Sequence, residues 1–206
     1  DKFRGKVDKL SCAFFQFAKG KNLDIVNDCS QVNGFPLLRS DLFKLTYGIL
    51  FLEIISGFAH EQDTESSFIY ELLYQGLDHL QTVSDPSLFS INFIMENLTI
   101  HGYKPQFDSC VMCSSEVHVS EGLGHVPQPA EYAFSSALGG LLCEACSSLA
   151  EHKTIDLNVL NIIQGEKILD EKISNETIRS SLKILKDHIT ARSHAEIKSF
   201  DLVFSL

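Results

Sequence analysis

The sequence predicts an α+β chain: a short β segment at the front, then an α-helical domain carrying a four-cysteine insert like a zinc ribbon. Three observations predict it. The apolar residues of the first 36 positions fall in short β-prone runs around a turn, those after Leu38 follow helical periodicity, and two Cys-x-x-Cys pairs bracket a stretch rich in turn residues. With 206 residues and 44% hydrophobic content, the chain can form one compact domain or two small ones. The patterns divide it into a β segment at 1–36 and a helical domain at 37–206, with the insert at 106–147.

Residues 5–33 read as β structure. "KLSCAFFQFAKGKNLDIVNDCSQV" places a turn signal at Lys19-Gly20-Lys21-Asn22 between two β-prone runs, giving a hairpin with room for a third strand. Cys12 and Cys29 read there as small core residues. The period then changes. "LRSDLFKLTYGILFLEIISGF" is helical, with Ser40 as its N-cap, and is apolar almost all round, which puts it at the centre of a helical core. Its stretch 45–58 holds Glu53 and falls short of the ~18 uncharged apolar residues of a membrane span. A second helix starts near Asp63 or Thr64, with Ile69, Leu72, Leu73, Leu77 and Leu80 at helical spacing. Asp85-Pro86 opens a third, with proline at its first position, and Gly102 and Pro105 close it. Residues 106–142, with Gly122, Gly124, Pro127, Pro129, Gly139 and Gly140, read as hairpin and loop. Helices return at about 143–152, 157–165 and 175–191. The last has Ser174 as N-cap and an apolar stripe of Ile178, Leu182, Leu185 and Ile189.

Net charge is −10. From Leu45 to Tyr103 there are acids (Glu53, Glu61, Asp63, Glu65, Glu71, Asp78, Asp85, Glu96) and no Lys or Arg, whereas the first 21 residues carry Lys2, Arg4, Lys6, Lys9, Lys19 and Lys21 against Asp1 and Asp8. The total therefore excludes a protein coated in basic surface but not a local nucleic-acid surface at the front. The first residue is Asp, which suggests a fragment or a processed product, and no signal peptide precedes the β segment.

Cys110, Cys113, Cys143 and Cys146 form two tight knuckles, and together they offer the four sulfurs that a tetrahedral Zn²⁺ takes. A thioredoxin-like pair would need a βαβ setting, a disulfide framework suits small secreted domains, and no iron–sulfur spacing is present. A zinc closed by four protein ligands has no place for water or substrate, so its role is structural. His118 and His125, inside the spacer, read as surface residues. There is no Walker loop, no Gly-x-Ser-x-Gly and no His-Glu-x-x-His, and Glu53 is a lone acid without a sequence partner, so the chain is not expected to be an enzyme.

Four stretches in this order resemble the bacterial RecO family of recombination mediators: "FPLLRSDLFKLTYGILFLEII", "GYKPQFDSCVMC", "FSSALGGLLCEAC" and "HITARSHAEIKSFDLV", the last similar to the family's closing helix. The resemblance implies that the β segment is the end of an oligonucleotide-binding (OB) barrel, here reduced to its last two or three strands out of five. It also implies a non-enzymatic mediator that binds single- and double-stranded DNA, anneals strands, and works with RecR and single-stranded-DNA-binding protein (SSB) to load RecA, in the cytoplasm at the nucleoid. On that reading Lys2, Arg4, Lys6, Lys9, Lys19 and Lys21 neutralise phosphates, with Phe14, Phe15 or Phe17 as stacking groups. Arg179, Lys183 and Lys186 share one face of the last helix beside its apolar stripe and suit an acidic, apolar-ended peptide such as the SSB tail. A different class of function stays open: a zinc-stabilised scaffold whose acidic helical face binds a basic protein without touching DNA.

Overall fold

The two expected β-prone runs pair as strands β1 (Cys12–Ala18) and β2 (Ile25–Asn33), antiparallel, with Phe15 opposite Cys29 and Ala18 opposite Ile25. The connection between them holds the expected Lys19–Asn22 turn. The protein is seen in a computed structural model that describes residues 7–60, 64–117, 131–165 and 173–206. Among these, the front sheet holds two strands and no third. The ribbon meets the helical domain at Cys12, whose Sγ lies 3.2 Å from Tyr70 Oη, and at Asn33, which donates to Tyr74 Oη at 3.3 Å. Cys29 is buried, while Phe14, Phe17, Ile25 and Val32 remain exposed.

A sharp junction joins the ribbon to the helices. Phe35 takes a left-handed conformation (φ 43°), costly for a bulky residue. It is held because Asn33 Oδ1 accepts its N–H at 2.9 Å and its buried ring packs edge-on against Tyr74. Helix α1 (Pro36–Ser40) follows, with proline in its first turn. Arg39 then donates to the carbonyls of Lys9, Leu10 and Gly34, tying the ribbon's root to the helices. Ser40 does not cap the long helix. It ends α1, and the extended Asp41 caps α2 (Leu42–Phe58), its carboxylate accepting from the N–H groups of Phe43 and Lys44. The reason is local: Pro36 starts a separate turn, and a carboxylate one residue later meets the free N–H groups of α2.

Helix α2 is central, as its all-round apolarity predicts: Leu50, Phe51 and Ile54 are fully buried. Helices α3 (Ser66–Leu80) and α4 (Pro86–Ile100) pack on it. Asp85 caps α4 from both Ser87 and Leu88, and the rings of Phe51 and Phe93 stack at 3.7 Å. Gly76 is needed here, since a Cβ would stand 2.7 Å from the Phe93 ring.

The region expected as hairpin and loop gives strands β3 (Glu131–Ser135) and β4 (Gly140–Leu142). The helix expected at 143–152 is cut to α5 (Glu144–Ser147), and the chain then forms β5 (Lys153–Asp156), which completes a sheet of order β4-β3-β5. Strand β5 falls between the two expected helices and is set by pairing with β3 and burial of Ile155. Asp156 caps α6 (Leu157–Gln164), and Gly165, at φ 77°, closes it. Helix α7 (Asn175–Thr190) has the expected Ser174 cap. Its stripe Ile178, Leu182, Leu185 and Ile189 is core, at most 5% exposed. A further short helix, α8 (Ser199–Ser205), lies against α2. No helix among the described residues is long and apolar enough to cross a membrane.

Candidate metal centre

The first knuckle is a tight turn. Cys110 N–H donates to Ser115 O at 2.8 Å, Ser114 N–H returns to Cys110 O at 2.9 Å, and Ser114 adopts φ 61° to close it. The turn is fastened to the insert sheet: Val111 N–H donates to Leu141 O, and Leu141 N–H to Gln106 O, both at 3.0 Å. This requires Gly140, because a Cβ there would meet Gln106 O at 2.3 Å and Val111 Cγ1 at 2.7 Å. The paired glycines of "SALGGLLC" are thus a close-approach device that brings the knuckles together. The second knuckle runs from the end of β4 into α5, with Cys146 N–H donating to Cys143 O at 3.0 Å.

The four sulfurs lie within 4.8 Å of one another, with Cys113 Sγ and Cys143 Sγ 3.6 Å apart. Cys110 and Cys146 are buried, Cys143 is half-buried and Cys113 exposed. None is in a disulfide. Burial pushes the Cys110 thiol up, but N–H groups of Cys143, Cys113 and Met112 around its sulfur outweigh that and bring it to about 6. A hydrogen bond from Ser115 lowers Cys143, while the neighbouring Cys143 and Cys113 sulfurs push Cys146 up to about 12. Four thiolates this close repel, and a cation held between them removes the conflict. The donor set fits a metal ion, and Cys110, Cys113, Cys143 and Cys146 would hold it. Among the described residues the cluster has only Leu142 as a further buried apolar neighbour, so a cross-link would contribute what the small core does not.

The front of the chain is only partly described. Lys2, Arg4 and Lys6 lie outside the described residues, as do His118 and His125. Lys9, Lys19 and Lys21 are exposed, the last two in the β1–β2 turn. Phe14 and Phe17 are 59% and 62% exposed, and Phe15 is half-buried.

On α7 the three bases have different surroundings. Lys183 is exposed. Lys186 pairs with Asp201 at 2.6 Å. Arg179 donates to Phe204 O and lies over the Phe204 ring, 5.5 Å from its centre. A pocket of about 480 Å³ opens beside Arg179, with Phe43, Tyr47, Ile178 and Leu182 in its wall. Only the first two turns of the stripe reach this pocket.

Sequence reading missed three residues that hold the parts together. Arg39 ties the ribbon root. Glu53 is not a lone acid: its Oε2 accepts from both N–H and Oγ of Ser199, each at 2.8 Å, at the start of α8. His188 is fully buried, and its Nε2 donates to Tyr103 O at 2.8 Å beside Phe134 of the insert sheet. Each bridges segments far apart in sequence, and only the odd placement of Glu53 in an apolar run gave a local signal.

The comparisons with known proteins agree with this arrangement. Residues 39–200 match the family model described as "Recombination protein O C terminal". The chain is 33% identical over 144 residues to the DNA repair protein RecO of Desulforudis audaxviator (strain MP104C), covering 69% of this chain and 52% of that protein. It is 26% identical over 145 residues to the DNA repair protein RecO of Desulforamulus reducens, covering 70% and 52%. Against the DNA repair protein RecO of Symbiobacterium thermophilum identity is 25% over 216 residues, covering all of this chain and 81% of the relative. The chain thus spans about half the length of the first two of these relatives.

Proposed function

The chain belongs to the RecO family, and on that premise we propose that it is a DNA repair and recombination mediator that binds DNA without catalysing a reaction. The match over residues 39–200 carries the reading, since it takes in both knuckles and the helices around them. In this role the chain anneals complementary strands and helps load the recombinase RecA onto SSB-coated single strands, with RecR as partner. It would do so in the cytoplasm, at the nucleoid. The metal is zinc and structural: four cysteines as donors leave no open position.

The front ribbon, up to residue 36, is the DNA-facing part and the end of an OB-like barrel. Two observations support it. Lys19 and Lys21 stand exposed at a strand turn, and Phe14 and Phe17 present aromatic surface on the strand before it. Phosphate neutralisation and base stacking need those two groups together. The SSB tail would use the α7 side. The pocket beside Arg179 offers apolar walls for the apolar end of such a peptide, with Arg179 as its cation beside the acids Asp85 and Glu176, so the acidic part would have to meet the exposed Lys183 outside it.

Strand annealing tests the reading. The protein should speed pairing of complementary oligonucleotides at low salt, and Lys19→Glu with Lys21→Glu should slow it and flatten the salt dependence of binding. Absence of annealing and of DNA retention at low salt overturns it. Retention of protein partners alone would then favour a zinc-stabilised scaffold.

A further inference from the structure

A second surface stands apart from the ribbon, the α7 pocket and the thiol cluster. Helices α3 and α4 run side by side, and the groove between them encloses about 560 Å³. Its apolar lining is Phe68, Leu72, Phe89, Phe93 and Ile100. Phe93 is sealed into the floor, whereas Phe68 is 64% exposed at the edge. The charged members of the lining are all of one sign apart from a single histidine: Glu65, Glu71 and Glu96, with no Lys or Arg. None can come from nearby sequence either, because residues 45–103 contain no Lys or Arg.

We propose that the α3–α4 groove is a docking site for a basic amphipathic helix supplied by another protein. The shape argues for a helix. Two 15-residue helices give a trough about 22 Å long. That length holds a helix with anchors at i, i+3 or i+4, and i+7. An exposed phenylalanine at the edge of an apolar groove is where such an anchor seats. The charge argues for a basic partner: acids on the rim attract Lys and Arg flanking the anchors and repel nucleic acid and acidic peptides. A second copy of this chain is a poor occupant. Its basic amphipathic helix is α7, whose apolar stripe is already core. The inference does not rest on the DNA reading, which concerns Lys19 and Lys21.

The probe is a fluorescein-labelled synthetic helix with Leu at i, i+3, i+4 and i+7 and Lys elsewhere. Its controls are a scrambled Leu/Lys order and a version with Glu for Lys. Fluorescence anisotropy against the full chain should show saturable binding of the first peptide alone. Glu71→Lys with Glu96→Lys should weaken it about tenfold, Phe68→Asp should abolish it, and Glu151→Lys, on another exposed surface, should leave it unchanged. Unchanged melting of the variants shows that the fold is intact. If the charge reversals do not fold, Glu71→Gln with Glu96→Gln gives the same direction with a smaller change. Equal binding of the scrambled peptide, or binding untouched by the Glu and Phe68 variants, overturns the proposal. So does a dimer of the chain that Phe68→Asp converts to monomer, since the groove is then taken by a second copy.

Discussion

The helical core and the cysteine insert solve the same problem by different means. In the core, Leu38, Leu50, Phe51, Ile54, Leu80, Ile91, Ile94 and Leu98 are fully buried around α2 and α4, and burial alone accounts for their order. In the insert, the separate cluster consists of Cys110, Leu142 and Cys146, and four sulfurs stand where a core would be. One region is held by area, and the other carries the donors for ligand chemistry. The insert sheet shares the core through Phe107, Tyr132, Phe134, Leu141 and Ile155, with Phe134 against His188 and Arg192 donating to Ser136 O at 2.7 Å, so only the knuckles stand outside it among the described residues. The two regions should therefore fail under different insults.

The largest expected effect is on the insert. Cys110→Ser, or a strong chelator, should release the two knuckles around Cys110–Cys113 and Cys143–Cys146 while the core, including Phe134 and Leu141, stays folded, because metal-linked folding free energies are on the order of 10 kcal/mol. Metal content of the purified protein should fall relative to the unaltered chain, and hydrogen exchange should rise at the knuckles with little change in α2 and α4. A variant that keeps full zinc and unchanged melting breaks the comparison. The reverse insult comes next. Phe51→Ala removes the ring stacked on Phe93 and should cost about 3–5 kcal/mol of global stability. Chemical denaturation reads it, and zinc content below the transition should not change.

Acid should act on the seam between the regions. Burial lowers the His188 pKa to about 4, with the Arg192 charge adding to this and the Tyr103 carbonyl opposing it. The unfolded chain therefore binds more protons than the folded one between about 4 and the ordinary histidine value near 6.5. Stability from this residue is full above about 6.5, falls as pH drops toward about 4, and is flat below. The loss is at most about 3 kcal/mol. Equilibrium unfolding across that range should show the slope, and His188→Gln should remove it. If the slope survives the substitution, other groups carry the acid sensitivity.

The same contrast explains what could be read from sequence. Periodicity marks α2, α3, α4 and α7 because their apolar faces are local facts. Cysteine spacing marks the thiol cluster, because ligand geometry is also local. The Asp41 cap was one residue from the expected Ser40, since two helices rather than one cross that point. Strand β5 was hidden because Lys153-Thr-Ile-Asp becomes a strand only once β3 is beside it. Helix α8 is short, and its first turn meets Glu53, 146 positions away in sequence. Arg39 and His188 likewise work through backbone carbonyls of distant segments, and no pattern of residue types announces a carbonyl.

Glu53 gives the finest test, because it places a polar joint inside the region held by area. Its carboxylate meets Ser199 N–H and Oγ at the first turn of α8, where free N–H groups and the helix dipole both favour a negative charge. Phe200 and Val203 of that helix are buried, so α8 is docked by packing as well. Glu53→Ala should cost about 1–2 kcal/mol, the value of the lost hydrogen bonds, and the loss should appear first as faster amide exchange over 199–205. Glu53→Gln keeps an acceptor and should cost less. If exchange in α8 is unchanged while global stability falls, the carboxylate supports α2 itself and not the docking of α8. If neither moves, packing of Phe200 and Val203 alone holds the helix, and α8 owes nothing to the Glu53 carboxylate.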